Sequence, residues 1–434
     1  MRHFDTQVIP IKSQKKSKPN GAAVPHDWTS KLRVRGSNFV GDEANVVTAL
    51  REAPELRDLV RYNEFRMQVE LQRKPPWRDG DIGEPWNEHD DLDLQRWLQE
   101  SKIDVRQRGV VSDCIERVAR DALFHPVREY LSALWWDGVQ RLRTLPRTYL
   151  QARGNEAYLS AIGERFFISA VARIFKPGCQ ADHVLVIDGA QGIGKTSAVR
   201  ILGGKWIADG LPNLHDKDSA LHLLGVWLVE LAELAAIRRT ADLESTKAFL
   251  SRTVDRYRPP YGRRTVEVPR QCVFIATTNE AQYLRDPTGN RRFWPVSCGA
   301  IDLAALTRDR DQIWAEAVVL YKRGDAWHLS PDESALANVE QADRIHVSEL
   351  EQRVQEYVDS LAANGNTETT ARDVLIYGTG LNPDNERFIE IAGRLGPQVA
   401  AILNRLSWQR IKAVGRSPNR RVTYRYQTPT HRGS

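Results

Sequence analysis

One segment of the sequence has the residue types and spacing that suit a phosphate-bearing ligand. Residues 189–196 read GAQGIGKT, after the apolar run HVLVID and before SAVRILGG, which suits a helix. Glycines let successive N–H groups turn inward, so that they surround phosphate oxygens at a helix N-terminus. The predicted nucleotide-binding residues are Gly189, Ala190, Gln191, Gly192, Ile193, Gly194, Lys195, Thr196 and Ser197.

Charged and hydroxyl side chains near this loop predict the chemistry of a nucleoside triphosphate. Lys195 can reach the β and γ phosphates, and the Thr196 hydroxyl can ligate Mg²⁺. The later stretch GVWLVELAEL predicts an apolar strand that ends at Glu230, with Glu233 one helical turn further on. We expect Thr196 and Glu230 to hold Mg²⁺ and a carboxylate to polarise the attacking water.

Two further segments predict groups that act on the γ-phosphate. CVFIATTNEAQYL reads as a strand that delivers Asn279, whose side chain can orient water. RDPTGNRRFWPV then places Arg291 and Arg292 just beyond. Paired arginines are often only solvated or salt-bridged. In this order, however, they are typical of a finger that reaches the nucleotide of a neighbouring subunit.

The pattern of apolar residues predicts the elements that position these groups. Strand-like runs alternate with helical segments between about residues 183 and 296, which indicates an α/β core with a parallel sheet. We expect a flexible basic arm over residues 1–25, an α-rich N-terminal domain over 26–153 and the core over 154–330. Helices followed by a strand over residues 347–428 predict a winged-helix-like domain.

Composition restricts the class of protein. The chain has 434 residues and a formal net charge of +6, which favours a polyanionic partner. Its cysteines lie far apart and form no C-x-x-C pair, so neither a zinc site nor a disulfide framework is predicted. The sequence has neither an apolar run of membrane-spanning length nor a signal-peptide core, and we expect no membrane partner.

Taken together, the motifs resemble the virulence-associated protein E family of phages, prophages and phage satellites. The resemblance covers about residues 113–296 and rests on FHPVREYLSALWWDGVQRL, GAQGIGKTS, WLVELAEL, STKAFLSRTVDRYRPPYGRR, PRQCVFIATTN and DPTGNRRFWPV. That family is similar to superfamily 3 helicases of the AAA+ class of P-loop NTPases. The resemblance implies a homo-oligomeric ring, in particular a hexamer, that uses ATP and Mg²⁺ to move on single-stranded DNA. It also implies a role in phage-type replication in the cytoplasm of a bacterial host.

The resemblance assigns roles to the residues at the matching positions. It implies Walker A at residues 189–196, Walker B at Glu230 and Glu233, the sensor at Asn279, and the arginine finger at Arg291 or Arg292. Most AAA+ proteins have adjacent acidic residues at Walker B, whereas two residues separate the glutamates here. Which glutamate activates water therefore stays open.

Basic segments indicate where DNA would bind. The stretch DRYRPPYGRRTVEVPRQ lies where superfamily 3 helicases carry a hairpin in the central channel, and it interleaves arginines with Tyr257 and Tyr261. Arginines neutralise phosphates and tyrosines stack on bases, although a solvated hairpin or inter-subunit pairing is the alternative. The tail also carries basic side chains that suit duplex or origin DNA, although a winged helix can instead dock a protein. The predicted DNA-binding residues are Arg256, Arg258, Tyr261, Arg263, Arg264, Arg270, Arg420 and Arg421.

Three functions fit the sequence. The first is an ATP-dependent DNA helicase or translocase, and the second is a replication initiator or loader that remodels origin DNA without processive unwinding. The third is an oligomeric binding protein, locked by ATP, that interferes with replication. For the N-terminal domain we see no primase triad or zinc ligands, and we expect the acidic cluster NEHDDLDLQ at residues 87–95 to be a solvated loop and helix start.

Overall fold

The structure is a computed structural model that describes residues 27–210, 217–232, 240–257, 265–284, 290–344, 349–384, 388–414 and 421–426. The chain divides into two compact units at Glu129 and Tyr130. We predicted this boundary at residue 153. It lies earlier because residues 141–152 bond with later elements: the backbone N–H groups of Arg141 and Leu142 donate to the buried carboxylate of Glu316 at 2.6 and 3.0 Å.

The first unit combines helices with two small sheets. Its helices are α1 (Glu43–Glu52), α2 (Glu88–Glu100) and α3 (Arg108–Arg120). Its strands are β1 (Val34–Arg35), β2 (Asn38–Val40), β3 (Val60–Asn63), β4 (Gln68–Leu71), β5 (Ile103–Asp104) and β6 (Leu123–Phe124). They form sheets in the orders β1-β2-β5 and β4-β3-β6. The unit that we predicted as α-rich also contains β3 and β4 after α1, where Val60 and Tyr62 alternate inward to the unit's core.

The acidic cluster at the start of α2 is part of the folded interior. Asn87 caps the helix in a capping box with Asp90. Asp90 and Asp91 are buried and accept hydrogen bonds from the indole N–H groups of Trp77 and Trp86 at 3.2 and 2.8 Å. The predicted helix start is confirmed, but the predicted solvation of these two carboxylates is wrong.

The second unit begins within α4 and contains a five-stranded parallel sheet. The helices that precede, connect and follow its strands are α4 (Pro126–Ala133), α5 (Leu145–Thr148), α6 (Glu156–Phe175), α7 (Lys195–Gly203), α8 (Thr240–Leu250), α9 (Leu303–Arg323) and α10 (Pro331–Ala342). The sheet strands are β7 (Val184–Asp188), β8 (Ile207–Asp209), β9 (Leu228–Ala232), β12 (Val273–Thr278) and β13 (Phe293–Ser297). Between β9 and β12, an antiparallel hairpin consists of β10 (Val254–Tyr257) and β11 (Val266–Pro269).

The sheet order is β13-β7-β12-β9-β8, with every neighbouring pair parallel. This confirms the α/β fold and the four strands that the sequence indicated at HVLVID, VWLVEL, CVFIATTN and RFWPV. All five residues of β7 are buried, as expected for a parallel strand with covered faces. Because β12 lies between β7 and β9, the carboxyl ends of these three strands meet at one edge.

Large aromatic side chains fix α9 and α6 around this sheet. Trp227 and Trp314 are fully buried with ring centroids 4.2 Å apart. Their indole N–H groups donate to the carbonyl oxygens of Ala170 in α6 and Leu202 in α7, at 2.9 and 3.1 Å. The helix that carries the phosphate loop's last residues is thereby held against the core.

The last part of the chain has its own hydrophobic cluster. It consists of α11 (Glu349–Ala363), β14 (Glu368–Thr370), α12 (Ala371–Asp373) with a π-helical turn at Val374–Gly378, α13 (Phe388–Arg405), β15 (Trp408–Val414) and β16 (Arg421–Tyr426). The strands pair antiparallel in the order β14-β16-β15. Val354, Val358, Leu403 and Trp408 are buried together in this cluster. We call residues 349–426 the C-terminal module. None of the helices among the described residues is long and apolar enough to cross a membrane.

Candidate functional site

The phosphate loop connects β7 to α7, in the strand and helix context that its sequence predicted. The backbone is left-handed at Gly192 and Gly194, with φ of +83° and +96°. A Cβ at Gly194 would also lie 3.3 Å from the Leu303 side chain. The backbone angle therefore favours glycine there, and a side chain would in addition require Leu303 to move slightly. Lys195 is the first residue of α7, so the loop opens at a helix N-terminus.

Lys195 joins the loop to the next strand of the sheet. Its ammonium donates to the carbonyl oxygens of Gly189 and Ala190 at 2.8 and 2.7 Å, and to the side-chain oxygen of Asn279 at 2.7 Å. Burial lowers the pKa of this ammonium, while the nearby Asp188 opposes the shift. Asn279 itself is exposed directly after β12. The structure thus brings together Lys195 and Asn279, two residues that the sequence placed 84 positions apart.

Glu230 lies inside the sheet beside the loop. It is 2% exposed, and its Oε1 accepts hydrogen bonds from the hydroxyls of Thr196 at 2.7 Å and Thr277 at 2.9 Å. β9 continues to Ala232, so Glu230 is not the strand's last residue as predicted. The sequence pointed to Thr196 and Glu230 but not to Thr277, which the parallel pairing of β12 with β9 brings alongside. Glu233 lies outside the described residues.

The arginine pair lies at the amino ends of the sheet strands, whereas the phosphate loop lies at their carboxyl ends. Arg291 and Arg292 directly precede β13, whose first residue pairs with the start of β7. The five residues of β7 span about 16 Å at roughly 3.3 Å per residue, so the pair is distant from the loop of its own chain. The Nε of Arg292 lies 3.4 Å from an Asp182 carboxylate oxygen and donates to the Ser251 hydroxyl at 3.1 Å. Arg291 is exposed, and no ion pair joins it to another described residue.

Arg270, at the base of the β10–β11 hairpin, is structural. It is 2% exposed, its Nε donates to an Asp255 carboxylate oxygen at 2.8 Å, and its Nη1 donates to the Phe249 carbonyl. Its guanidinium has its hydrogen bonds inside the protein, so the predicted DNA contact of Arg270 is wrong. Tyr257 is also buried, which removes it from the residues that could stack on a base.

Arg256 is the predicted DNA-contact residue of this hairpin that the structure shows at the surface. It lies opposite Glu267 in the antiparallel register and pairs with it at 2.7 Å, and both side chains are largely exposed. An exposed pair of this kind is weak and can be exchanged for a phosphate contact. Four further predicted residues, Arg258, Tyr261, Arg263 and Arg264, lie outside the described residues.

The basic side chains of the C-terminal module are partly paired. Arg405 forms an ion pair with Glu351 at 2.7 Å, and Arg425 forms one with Glu368 across β14 and β16. Arg410 is exposed on β15. Of the two predicted DNA-contact residues here, Arg421 begins β16 without a described side chain, and Arg420 lies outside the described residues.

Other buried side chains near the loop were not found from the sequence. Cys298 follows β13, and its carbonyl oxygen would lie 2.8 Å from a Cβ at Gly189. Burial raises the pKa of the Cys298 thiol to about 12, which favours the neutral thiol at pH 7. Asp188 and Arg344 form a buried ion pair of 2.9 Å. Asp188 had a signal, a charge at the end of an apolar strand, whereas nothing in the sequence near Arg344 marks it.

Residues 131–346 match the family described as virulence-associated protein E-like domain. No curated protein matches the chain. Among solved structures, it is similar to apo structures of the C-terminal region of NrS-1. One has 14% identity and a TM-score of 0.36 and covers 85% of this chain and 96% of that chain. Another has 12% identity and a TM-score of 0.41 and covers 89% of this chain and 100% of that chain.

Proposed function

The chain belongs to the virulence-associated protein E-like family through residues 131–346, and on this premise we propose that it is an ATP-driven DNA helicase or translocase. It would act as a ring on single-stranded DNA during replication of a phage or mobile element. The observation that carries the proposal is the convergence of Lys195, Thr196, Glu230 and Asn279 at one edge of a parallel sheet. These are the groups that binding and hydrolysis of a nucleoside triphosphate require.

The residues at this edge suit ATP with Mg²⁺. Lys195 would hold the β and γ phosphates, exchanging its present carbonyl contacts for phosphate oxygens. Thr196 and Glu230 offer hydroxyl and carboxylate oxygens, the hard ligands that Mg²⁺ prefers. Among the described residues, no three His, Cys, Asp or Glu side chains cluster as a metal cage. Phosphate oxygens and water would complete the coordination shell, and the bound ion would neutralise charge that develops on the phosphates.

The contacts of Glu230 favour different roles for Glu230 and Glu233, one at the metal and one at the attacking water. Glu230 already accepts two hydroxyl hydrogen bonds inside the sheet, which suits a fixed place in the metal's shell. In sequence, Glu233 directly follows Ala232, the last residue of β9. We assign the activation of water to Glu233 and the support of Mg²⁺ to Glu230.

The position of the arginines favours an active site shared between subunits. Arg291 is exposed and lies about one strand length, roughly 16 Å, from the phosphate loop of its own chain. Arg292 is engaged with Asp182 and Ser251. Arg291 is therefore our choice for the finger that completes a neighbour's site, which is the reason to propose a ring.

DNA would bind to the hairpin and, separately, to the C-terminal module. Arg256 is exposed on β10, and residues 258–264, which follow in the sequence, include Arg258, Tyr261, Arg263 and Arg264. Arginines with an interleaved tyrosine suit a single strand bound without sequence preference. The C-terminal module combines three helical segments with an antiparallel sheet and carries exposed arginines, which supports a winged helix that captures duplex or origin DNA.

Hydrolysis and unwinding assays distinguish this function from its alternatives. We expect the purified chain to hydrolyse ATP with Mg²⁺, single-stranded DNA to stimulate hydrolysis, and a forked duplex to be unwound. Stimulated hydrolysis without unwinding would favour the initiator or loader. Hydrolysis that DNA leaves unchanged would favour the ATP-locked binding protein. Particle images with ATP and single-stranded DNA would test the ring directly.

A further inference from the structure

A buried carboxylate lies directly before the phosphate loop. Asp188 is the last residue of β7, precedes Gly189 and is 6% exposed. Its Oδ2 accepts hydrogen bonds from the Nε of Arg344 at 2.9 Å and from the Tyr283 hydroxyl at 3.3 Å. Its Oδ1 accepts a hydrogen bond from the Ser297 hydroxyl. A carboxylate this deep in the protein is stable only with such partners, so its position depends on them.

Arg344 supplies the charge in this group and connects it to further elements. Its Nη2 donates to the Ser297 hydroxyl at 3.0 Å, and its Nη1 donates to the carbonyl and a carboxylate oxygen of Glu340 at 2.7 and 2.8 Å. Its own carbonyl oxygen accepts from the N–H of Leu284 at 3.0 Å. Arg344, which follows α10, thus connects the strand before the phosphate loop and the end of β13 through its side chain, and the segment that follows Asn279 through its backbone carbonyl.

We propose that Arg344 is a positioning residue that holds the phosphate loop in register with the segment bearing Asn279. The proposal rests on the ATP site proposed above, because it concerns how that site is held. The backbone supports it: the carbonyl of Asp188 accepts from the N–H of Cys298 at 2.8 Å, and the N–H of Gly189 donates to Thr278 at 3.3 Å. A shift of Asp188 therefore changes the distance between the Lys195 loop and Asn279. Each Arg344 side-chain nitrogen donates to a group of the protein, to Asp188, Ser297 or Glu340, so we expect Arg344 to act by positioning these groups.

The test removes the ion pair without leaving one charge buried. Each single variant would leave the charge of the other partner buried without its counter-ion, which would destabilise the fold. The double variant Asp188→Asn with Arg344→Gln keeps groups that can hydrogen-bond, but loses the charge and the planar fork. A matched control is Arg165→Gln with Glu333→Gln, which removes the 2.9 Å ion pair between α6 and α10 and touches neither the loop nor Asp188.

Hydrogen exchange on the full chain, without nucleotide, reads the loop's position directly. We expect the double variant to raise amide exchange about tenfold in the peptides spanning residues 188–197 and 280–284, with β12 unchanged, whereas the control pair leaves both peptides as in the wild type. Unchanged exchange in residues 188–197 would overturn the proposal. So would a rise spread evenly through β12, because Arg344 would then support general stability.

A kinetic measurement adds a second readout. Misplacement of the loop should lower kcat about 10-fold to 100-fold, with the Kd for a fluorescent ATP analogue changed less than kcat. A kcat within about twofold of the wild type, near the precision of such comparisons, would contradict the proposal. If the wild type does not hydrolyse ATP, the proposed function fails, and the exchange experiment still decides the role of Arg344.

Discussion

The ammonium of Lys195 and the side-chain oxygen of Asn279 lie 2.7 Å apart, in a hydrogen bond that joins the phosphate loop to the strand beside it. Lys195 belongs to the helix after β7, and Asn279 follows β12. Because these strands are parallel neighbours, their carboxyl ends bring the two side chains together. A ligand that moves the Lys195 ammonium must also break its hydrogen bond with Asn279, so binding at the loop changes the position of Asn279.

Lys195→Ala should abolish hydrolysis while the chain stays folded. The variant loses the charge that would hold the phosphates, and we expect kcat to fall about 100-fold or more. Lys205→Ala is the matched control, because Lys205 is an exposed lysine nearby that packs over the Trp206 ring. Steady-state ATPase assays and thermal melts of both variants check this. Turnover retained by Lys195→Ala would refute the phosphate-binding assignment.

Glu230→Gln and Glu233→Gln should fail in different ways. Gln at position 230 can still accept from Thr196 and Thr277, but lacks the charge for a metal, so its activity should need more Mg²⁺. Glu233→Gln should bind ATP and Mg²⁺ normally and lose about 100-fold or more in kcat. Magnesium titrations of ATPase activity and nucleotide-binding assays separate the two. The reverse pattern would exchange the roles of the glutamates.

Arg291→Ala should lose hydrolysis that a second inactive variant restores. Mixed with Lys195→Ala protein, it forms interfaces in which an intact phosphate loop meets an intact finger, so partial activity should return. Arg292→Ala, whose side chain contacts Asp182 and Ser251 of its own chain, should keep basal hydrolysis. ATPase assays across mixing ratios, with mixed assembly verified, check this. Mixtures that never exceed either variant alone would exclude a finger acting between subunits.

Arg270→Ala and Arg256→Ala should separate folding from DNA binding. Removing Arg270 leaves Asp255 buried without its partner and should lower the free energy of unfolding by about 3–5 kcal/mol. Removing Arg256 breaks only an exposed pair with Glu267 and should change it by about 1 kcal/mol or less. Urea unfolding measures both. Arg256→Ala should also flatten the log–log salt dependence of single-strand binding by about 0.7. An unchanged salt dependence would remove Arg256 from the DNA surface.

The hairpin residues Arg256 and Arg270 show which features of the site could be predicted from the sequence and which could not. The apolar runs predicted the strands that carry the site, because burial on both faces of a parallel sheet leaves a continuous apolar pattern. The phosphate loop was equally visible, since only glycines fit its backbone. The role of Arg270 was predicted wrongly because its contact with the buried Asp255 arises only when β10 and β11 pair, which the sequence does not show. A basic residue beside a basic loop looks the same in sequence whether it faces solvent or a buried carboxylate.

Long-range contacts escaped prediction for a related reason. Asp188 and Arg344 are 156 positions apart, and only the packing of α10 against the sheet brings them together. The short strands β3 and β4 of the first unit were likewise hidden, because four-residue strands carry too few alternations to outweigh an adjoining helical pattern.

Removing the C-terminal module should leave an active ATPase that binds duplex DNA poorly. The module has its own hydrophobic cluster, so a chain ending at residue 346 should keep the core folded. The truncation must retain Arg344, whose contacts with Asp188 and Glu340 belong to the core. We expect ATP hydrolysis and single-strand stimulation to persist, because the hairpin remains, while duplex affinity falls about tenfold or more. Fluorescence anisotropy on single-stranded and duplex probes across a salt series measures the difference. Equal losses on both probes would identify the module as an assembly element and remove its DNA-binding role.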